Sequence, residues 1–393
     1  MDITDTFLRD LIGFTDPQGV LSLYVEHDFS RRSDPQPAAP LEIRERIRAL
    51  QDDLNDRDPD LAGAVADRLK SCEDDIARLV DPTQSGRGRA LFIGVEEGRT
   101  TTVSLALPFR LRVVHHDSAY IRPLVAAYDE GRDAGILVVS RAGARLLRWS
   151  IGEAEELSTE RFEVPEEQLG RDMSGPSPAA PNDSRQGFVH REQFEDRIDA
   201  NRQRFLRDVT QHAAQQAKEQ GWDRLVIAGS PKIRSAARDL LSNGDGPRLI
   251  VADQSWEETP PHTIAEQVWP LLHSVRQERE HELADAAMDR ALAGGPGALG
   301  LPDVCDALNA GRVDHLLYDE QVQPRGFRTD EGTLHPDVDG VMARSDVTMH
   351  PEPLLIERMI EQAIATDARV TPLSPEAAAP LGPHDRVAAI LRW

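Results

Sequence analysis

Gly135-Ile136-Leu137-Val138-Val139-Ser140 is followed, after a turn through 141–144, by Arg145-Leu146-Leu147-Arg148-Trp149-Ser150-Ile151. Two short apolar runs joined by four residues read as a β-hairpin. Further on, Phe194, Ile198, Phe205, Val209 and Ala213 recur at spacings of 4, 7, 4 and 4. That is one face of a long helix. Gly221 ends it, and Leu225-Val226-Ile227-Ala228-Gly229 follows as a short buried strand. Ser230-Pro231 then supplies an N-cap and a first helical residue. Leu249-Ile250-Val251 is another strand, and a long helix runs from about 262 to 293. Strands alternating with helices predict an α/β class.

Between hairpin and helix lies the longest irregular stretch, 165–189, with Pro165, Pro176, Pro178, Pro181, Gly170, Gly175 and Gly187. Such a loop is either functional or disordered. Its composition predicts mobility over 170–189.

Before the hairpin, 20–26 alternates like a strand. Helical spacing follows at Ile43, Ile47, Leu50 and Leu54, then strands at 90–95, 101–107 and 110–115. After it, Gly294-Gly295-Pro296-Gly297 breaks the chain. A helix at 302–310, a strand at 313–318, a polar stretch at 320–351, a helix through Leu355, Met359 and Ile364, and strands at 369–373 and 387–392 complete the pattern. Three domains are expected: 1–128, 129–293 with the loop 165–189, and 294–393. At about 150 residues per domain, 393 residues accommodate that number. The polar stretch 320–351 is either a small insertion with its own turns or disordered.

Charge narrows the function. The chain holds 45 basic and 68 acidic residues, a net charge of -23, which excludes a general nucleic-acid coat protein. Any RNA contact must use a local basic patch. Only three of the basic residues are Lys (Lys70, Lys218 and Lys232); the rest are Arg. Cys72 lies on the helical stripe Leu61, Val65, Leu69, Cys72, Ile76, Leu79 and reads as a small core residue. With Cys305 it makes neither a disulfide framework nor a zinc site. An acidic N-terminus and the lack of an apolar run near 18 residues predict a cytosolic protein.

Gly295-Pro296-Gly297-Ala298-Leu299-Gly300 matches G-x-G-x-x-G, but a helix precedes it, so it reads as a linker. His281-Glu282 starts like H-E-x-x-H and lacks the second His. His115 and His116 alternate across a strand and cannot face one ligand. No catalytic residue, metal or cofactor is expected.

The arginines of 185–207 stand out: six (185, 191, 197, 202, 204 and 207) against the acids Glu192, Glu195, Asp196 and Asp199. A planar guanidinium suits phosphate bidentately. The alternative is a solvated helix laced with ion pairs. At 100° per residue from Arg191, Arg197, Arg204 and Arg207 fall at about 240°, 220° and 160°, away from the apolar stripe. Those three are the expected phosphate contacts, with Arg191 near the loop.

The order hairpin, glycine-bearing loop, Arg-rich helix and Leu225–Ser230 strand resembles the middle domain of archaeal and eukaryotic class-1 peptide-chain release factors and of Pelota. Leu301-Pro302-Asp303-Val304 through Leu316-Leu317 resembles the start of that family's C-terminal domain, and Arg386–Trp393 its end. Ala119-Tyr120-Ile121-Arg122-Pro123-Leu124 is similar to the bacterial and archaeal branch of these proteins, which includes Balon-type ribosome hibernation factors. The resemblance covers about 120–393. It implies an RNase H-like middle domain, an L7Ae/L30e-like C-terminal domain, docking in the ribosomal A site on rRNA, and elongation factor Tu as a partner. It also implies RNA contacts at Gln186, Gly187 and Phe188, in the loop's last turn.

One departure is decisive. Gly187-Phe188-Val189 stands where the family carries Gly-Gly-Gln. Val189 cannot position water, and losing one such group costs on the order of 10²–10³ in rate. No Asn-Ile-Lys-Ser element is present either, since no Lys precedes Lys70. The expectation is a non-hydrolysing hibernation factor, monomeric off the ribosome. Its rivals are a release or rescue factor using Gln186 and an RNA-binding module with no ribosomal role.

Overall fold

The computed structural model describes residues 4–26, 38–81, 83–163, 184–242, 246–337 and 348–393, with Asp5, 38–40 and 184–196 described by backbone alone. Contacts divide the chain into two units, Met1–Gly131 with His273–Trp393, and Arg132–Leu272.

The first segment of the larger unit begins with α1 (Asp5–Ile12) and β1 (Thr15–Glu26). Three helices follow, α2 (Ala38–Arg57), α3 (Pro59–Ser71) and α4 (Glu73–Val80), then β2 (Gly88–Gly94), β3 (Thr100–Leu105) and β4 (Arg112–Ser118). The strands form one antiparallel sheet in the order β3-β2-β1-β4. Leu21, Leu23 and Val25 point to the face covered by the helices, where Val65, Leu69, Cys72 and Leu79 meet them. Cys72 is thus the small core residue that its spacing implied. On β1's other face Tyr24 packs edge-on against Phe92, Phe109 and Tyr120. α5 (Arg122–Glu130) leads out of the segment.

The smaller unit opens with the expected hairpin, β5 (Ala134–Val139) and β6 (Gly143–Ser150). β7 (Glu153–Arg161) extends it as an edge strand that the apolar pattern does not show. Glu153, Glu155, Glu156 and Glu160 keep it polar, as edge strands often are. α6 (Ser184–Gln220) starts earlier than read, so 184–189, including Gln186, Gly187 and Phe188, are helical and not loop. The expected mobility of 170–183 lies outside the described residues. β8 (Arg224–Gly229), α7 (Pro231–Leu241) and β9 (Arg248–Val251) complete the sheet β7-β6-β5-β8-β9. β8 runs parallel to β5 and β9 to β8. Counted from β5 the order is three-two-one-four-five, the RNase H-like arrangement. Val209, Ala213 and Ala217 of α6 pack on Leu137, Val139 and Leu225, so the predicted stripe faces the sheet.

α8 (Pro261–Leu292) crosses the boundary between the units at 272–273. Ala284 and Ala287 on the helix's second half pack with Leu317, Leu381 and Ile390, which ties that half to the last segment. The two segments of the larger unit each hold one four-stranded sheet.

The last segment contains β10 (Gly297–Leu299), α9 (Gly300–Asn309) and β11 (Val313–Asp319). Gly297 is obligatory, because a Cβ there would sit 2.6 Å from the Ala291 amide nitrogen. The polar stretch holds a small sheet of its own, β12 (Gly326–Thr329), β13 (Leu334–His335) and β14 (Met349–Glu352), in the order β13-β12-β14. α10 (Leu355–Ala365), β15 (Arg369–Leu373) and β16 (Val387–Leu391) follow. The main sheet runs β10-β16-β11-β15, with β11 and β15 parallel. This segment is of the α/β class. Among the described residues no helix is long and apolar enough to cross a membrane.

Candidate nucleic-acid interface

α6 carries the basic residues singled out from the sequence. Gln186, Gly187, Phe188 and Arg191 lie on its helical backbone, and their side chains lie outside the described residues. Arg197, Arg204 and Arg207 are exposed. Among the described residues none of the three makes an ion pair. Arg202 differs. It lies 3.4 Å from Asp199 and 5.7 Å over the Phe162 ring, which packs edge-on against Phe205. The laced-helix reading holds for Arg202, while its three neighbours leave their guanidinium forks open to an anion.

A second helix enlarges the patch. α7 packs against α6 and adds exposed Lys232 and Arg238. From Arg197 to Leu241 nine basic residues stand against five acidic ones, within a chain of net charge -23. The sequence held a clue to this. Two of its three lysines, Lys218 and Lys232, fall on these two helices.

The RNase H-like sheet has no nuclease chemistry in its parallel strands. β5 has no acidic residue and β8 has none, whereas metal-assisted phosphoryl chemistry needs carboxylates there. Among the described residues no group of three or more His, Cys, Asp or Glu is placed to hold a metal.

Ala119–Leu124 does a different job from the α6 arginines. Arg122 is 6% exposed and donates to the carbonyls of Asp319 (2.9 Å) and Val322 (2.8 Å) and to the side chain of Gln323 (3.0 Å). Its guanidinium also lies 4.9 Å over Tyr318. The backbone N–H of Ile121 donates to Glu357, so a buried carboxyl on α10 caps the start of α5. Burial pushes Glu357 up to about 8, with neighbouring Glu361 adding to the effect.

Beside it, Ser118 Oγ is 3.5 Å from His116 Nδ1, and His116 Nε2 is 3.2 Å from Glu352 Oε1. That order matches a nucleophile, base and acid. The array is no such site, because Ser118 and Glu352 are each 2% exposed. Ser118 Oγ already donates to Glu361 and accepts from Arg358 (3.2 Å). Burial favours a neutral Glu352, yet hydrogen bonds and charge from His116 and Arg358 outweigh it and hold the carboxyl down to about 2. These groups lock the first segment to the last. The remaining thiol, Cys305, is fully buried and pushed up to about 12, which makes it inert.

A third network closes the root of α5. Arg276 lies 3.4 Å from Glu130 and 3.7 Å from Asp129 and donates to fully buried Glu280. Arg279 reaches both oxygens of Asp129 at 2.7 and 2.6 Å.

The smaller unit thus joins a five-stranded sheet to a helix with open arginines. Residues 120–262 match the family model of the bacterial archaeo-eukaryotic release factor family 10, which places this segment in a release-factor-like family. Solved structures similar to the chain include an archaeal translation termination factor, aRF1, at 17% identity, covering 100% of this chain and 99% of that one with a TM-score of 0.25. A ribosome-bound archaeal Pelota with ABCE1 is 12% identical over 100% and 95% of the two chains, with a TM-score of 0.42. Pelota of Archaeoglobus fulgidus is 16% identical over 78% and 79%, with a TM-score of 0.33. No curated protein matches the sequence.

Proposed function

We propose that the protein is a translation factor that docks in the ribosomal A site without hydrolysing peptidyl-tRNA, in the manner of a hibernation factor. The observation that carries this reading is the exposed set Arg197, Arg204 and Arg207, free of ion pairs among the described residues, within the segment that matches the release-factor family. Phosphate contacts dominate the affinity of such surfaces. Gln186, Gly187, Phe188 and Arg191 extend the contact toward the N-terminal end of α6. The absence of hydrolysis rests on Gly187-Phe188-Val189, which offers no side-chain amide where Gly-Gly-Gln would hold water. Elongation factor Tu is the proposed partner in delivery, the protein is monomeric when off the ribosome, and it acts in the cytoplasm.

Co-sedimentation with idle 70S ribosomes tests the reading. The parent protein is expected in the ribosomal fraction, and it should free no peptide from a programmed ribosome. Changing Arg197, Arg204 and Arg207 together to Gln should weaken binding and lower its salt slope by roughly 0.7–0.9 per lost phosphate contact. Peptide release near the rate of a true release factor would establish the hydrolytic alternative instead.

A further inference from the structure

We propose that the groove between α6 and α7 seats a short unpaired stretch of RNA, with one base on its apolar wall. The inference rests on reading α6 as the RNA-binding face. The groove has a volume of about 800 Å³ and is lined on one side by Arg207, Gln211, Ala214 and Lys218. At 100° per residue these four α6 positions fall within about 60° of arc, and Arg204 borders them. The wall therefore continues the arginine stripe. Arg207 and Lys218 are eleven residues apart, which separates the two cations by roughly 16 Å along the axis at 1.5 Å per residue.

Leu240, Leu241 and Pro247 form the opposite wall. Leu240 is 37% exposed, one of few large apolar side chains left in solvent. Trp222 lines the groove and is 4% exposed. Its Cε3–Cζ3 edge faces Gly135, and its Nε1 hydrogen has no acceptor among the described residues. Asp223, a carboxylate among the lining residues, is held by Arg132 at 3.0 Å and Arg224 at 3.1 Å.

An apolar shelf, a side-chain amide and cations at both ends match the parts of a nucleotide. The shelf takes the face of a base, Gln211 offers a donor to its edge, and Arg207 and Lys218 take phosphates of the strand further out on either side. An acidic amphipathic helix would need apolar anchors over several turns. Two leucines and a proline are short for that and sufficient for one base.

Placing the photo-crosslinker p-benzoylphenylalanine at Leu240 in the full chain, bound to 70S ribosomes, tests the proposal. Crosslinks to unpaired rRNA nucleotides are expected. Leu240→Asp should weaken ribosome binding about tenfold, the scale of one lost base contact. Lys218→Gln should lower the salt slope by about 0.7. Crosslinks to a ribosomal protein or to an elongation factor, or none while the parent sediments with ribosomes, would overturn the groove assignment alone. So would unchanged binding of Leu240→Asp. A parent that never sediments with ribosomes would overturn the A-site reading, and the groove assignment with it.

Discussion

Arg122, Arg276 and Arg358 in the larger unit and Arg197, Arg204 and Arg207 in the smaller one are the same side chain in opposite states. The first three are buried or nearly so, with carbonyls around the guanidinium of Arg122 and carboxylates around those of Arg276 and Arg358. The other three stand in solvent without an ion pair among the described residues. A buried guanidinium must be fully paired, because an unpaired charge in the interior is expensive. An exposed one needs nothing from its own chain, and so stays available to a phosphate. In a chain with so many arginines, residue type separates nothing; the partners do.

The comparison breaks first at Arg276. Arg276→Ala leaves fully buried Glu280 without its cation and should cost roughly 3–5 kcal/mol in urea unfolding. A loss below 1 kcal/mol would mean that the network is an ornament of the fold. Arg122→Ala should cost less, about 2–3 kcal/mol, through abandoned buried carbonyls. Arg122→Lys should recover under half of that, since an ammonium cannot serve three acceptors across a fork.

Next comes pH. Glu352 is held down to about 2, so its contribution is present above about 4.5 and fades as pH falls toward 2. Glu357 is pushed up to about 8, so its contribution is whole below about 4.5 and is lost as pH rises through 8. The joint contribution of these two groups should therefore peak near pH 4.5 and decline on both sides, toward 2 and toward 8. Glu357→Gln should flatten the alkaline limb, read as urea midpoints at pH 6 and pH 9. Equal alkaline slopes in parent and variant would exclude Glu357 as the group responsible. The smallest effect belongs to the α6 arginines. The triple change to Gln should shift folding stability by less than about 0.5 kcal/mol in the same assay while ribosome binding falls.

Much of the smaller unit was legible from local pattern. The hairpin, the stripe through Val209 and Ala213, the Ser230-Pro231 start and the outward angle of Arg197, Arg204 and Arg207 all follow from periodicity within a few turns. β7 was not legible, because four glutamates on a solvated edge strand erase the alternation that marks a strand. The start of α6 was misplaced because Gly187 and the prolines before it read as loop. In the last segment, β12, β13 and β14 are strands of four, two and four residues, too short to show a period. The locks of the larger unit were invisible for another reason. His116 meets Glu352 across 236 positions and Ser118 meets Glu361 across 243, and no spacing rule reaches that far. The α7 half of the basic face lay in view as Lys232 and was missed for want of a pattern joining two helices.

The Asp129–Arg276–Glu280 network makes the smaller unit a guest spliced into a host. The chain leaves the host after Gly131 and returns at His273, and both roots are fastened by that network on the host's own side. Synthesis runs in one direction, and domains fold as they emerge. His116, Ser118 and Arg122 are made early, yet their partners Asp319, Glu352 and Glu361 come some 200 residues later. The guest, complete in sequence by Leu272, is thus free to fold while the host waits, half-built, for its second half.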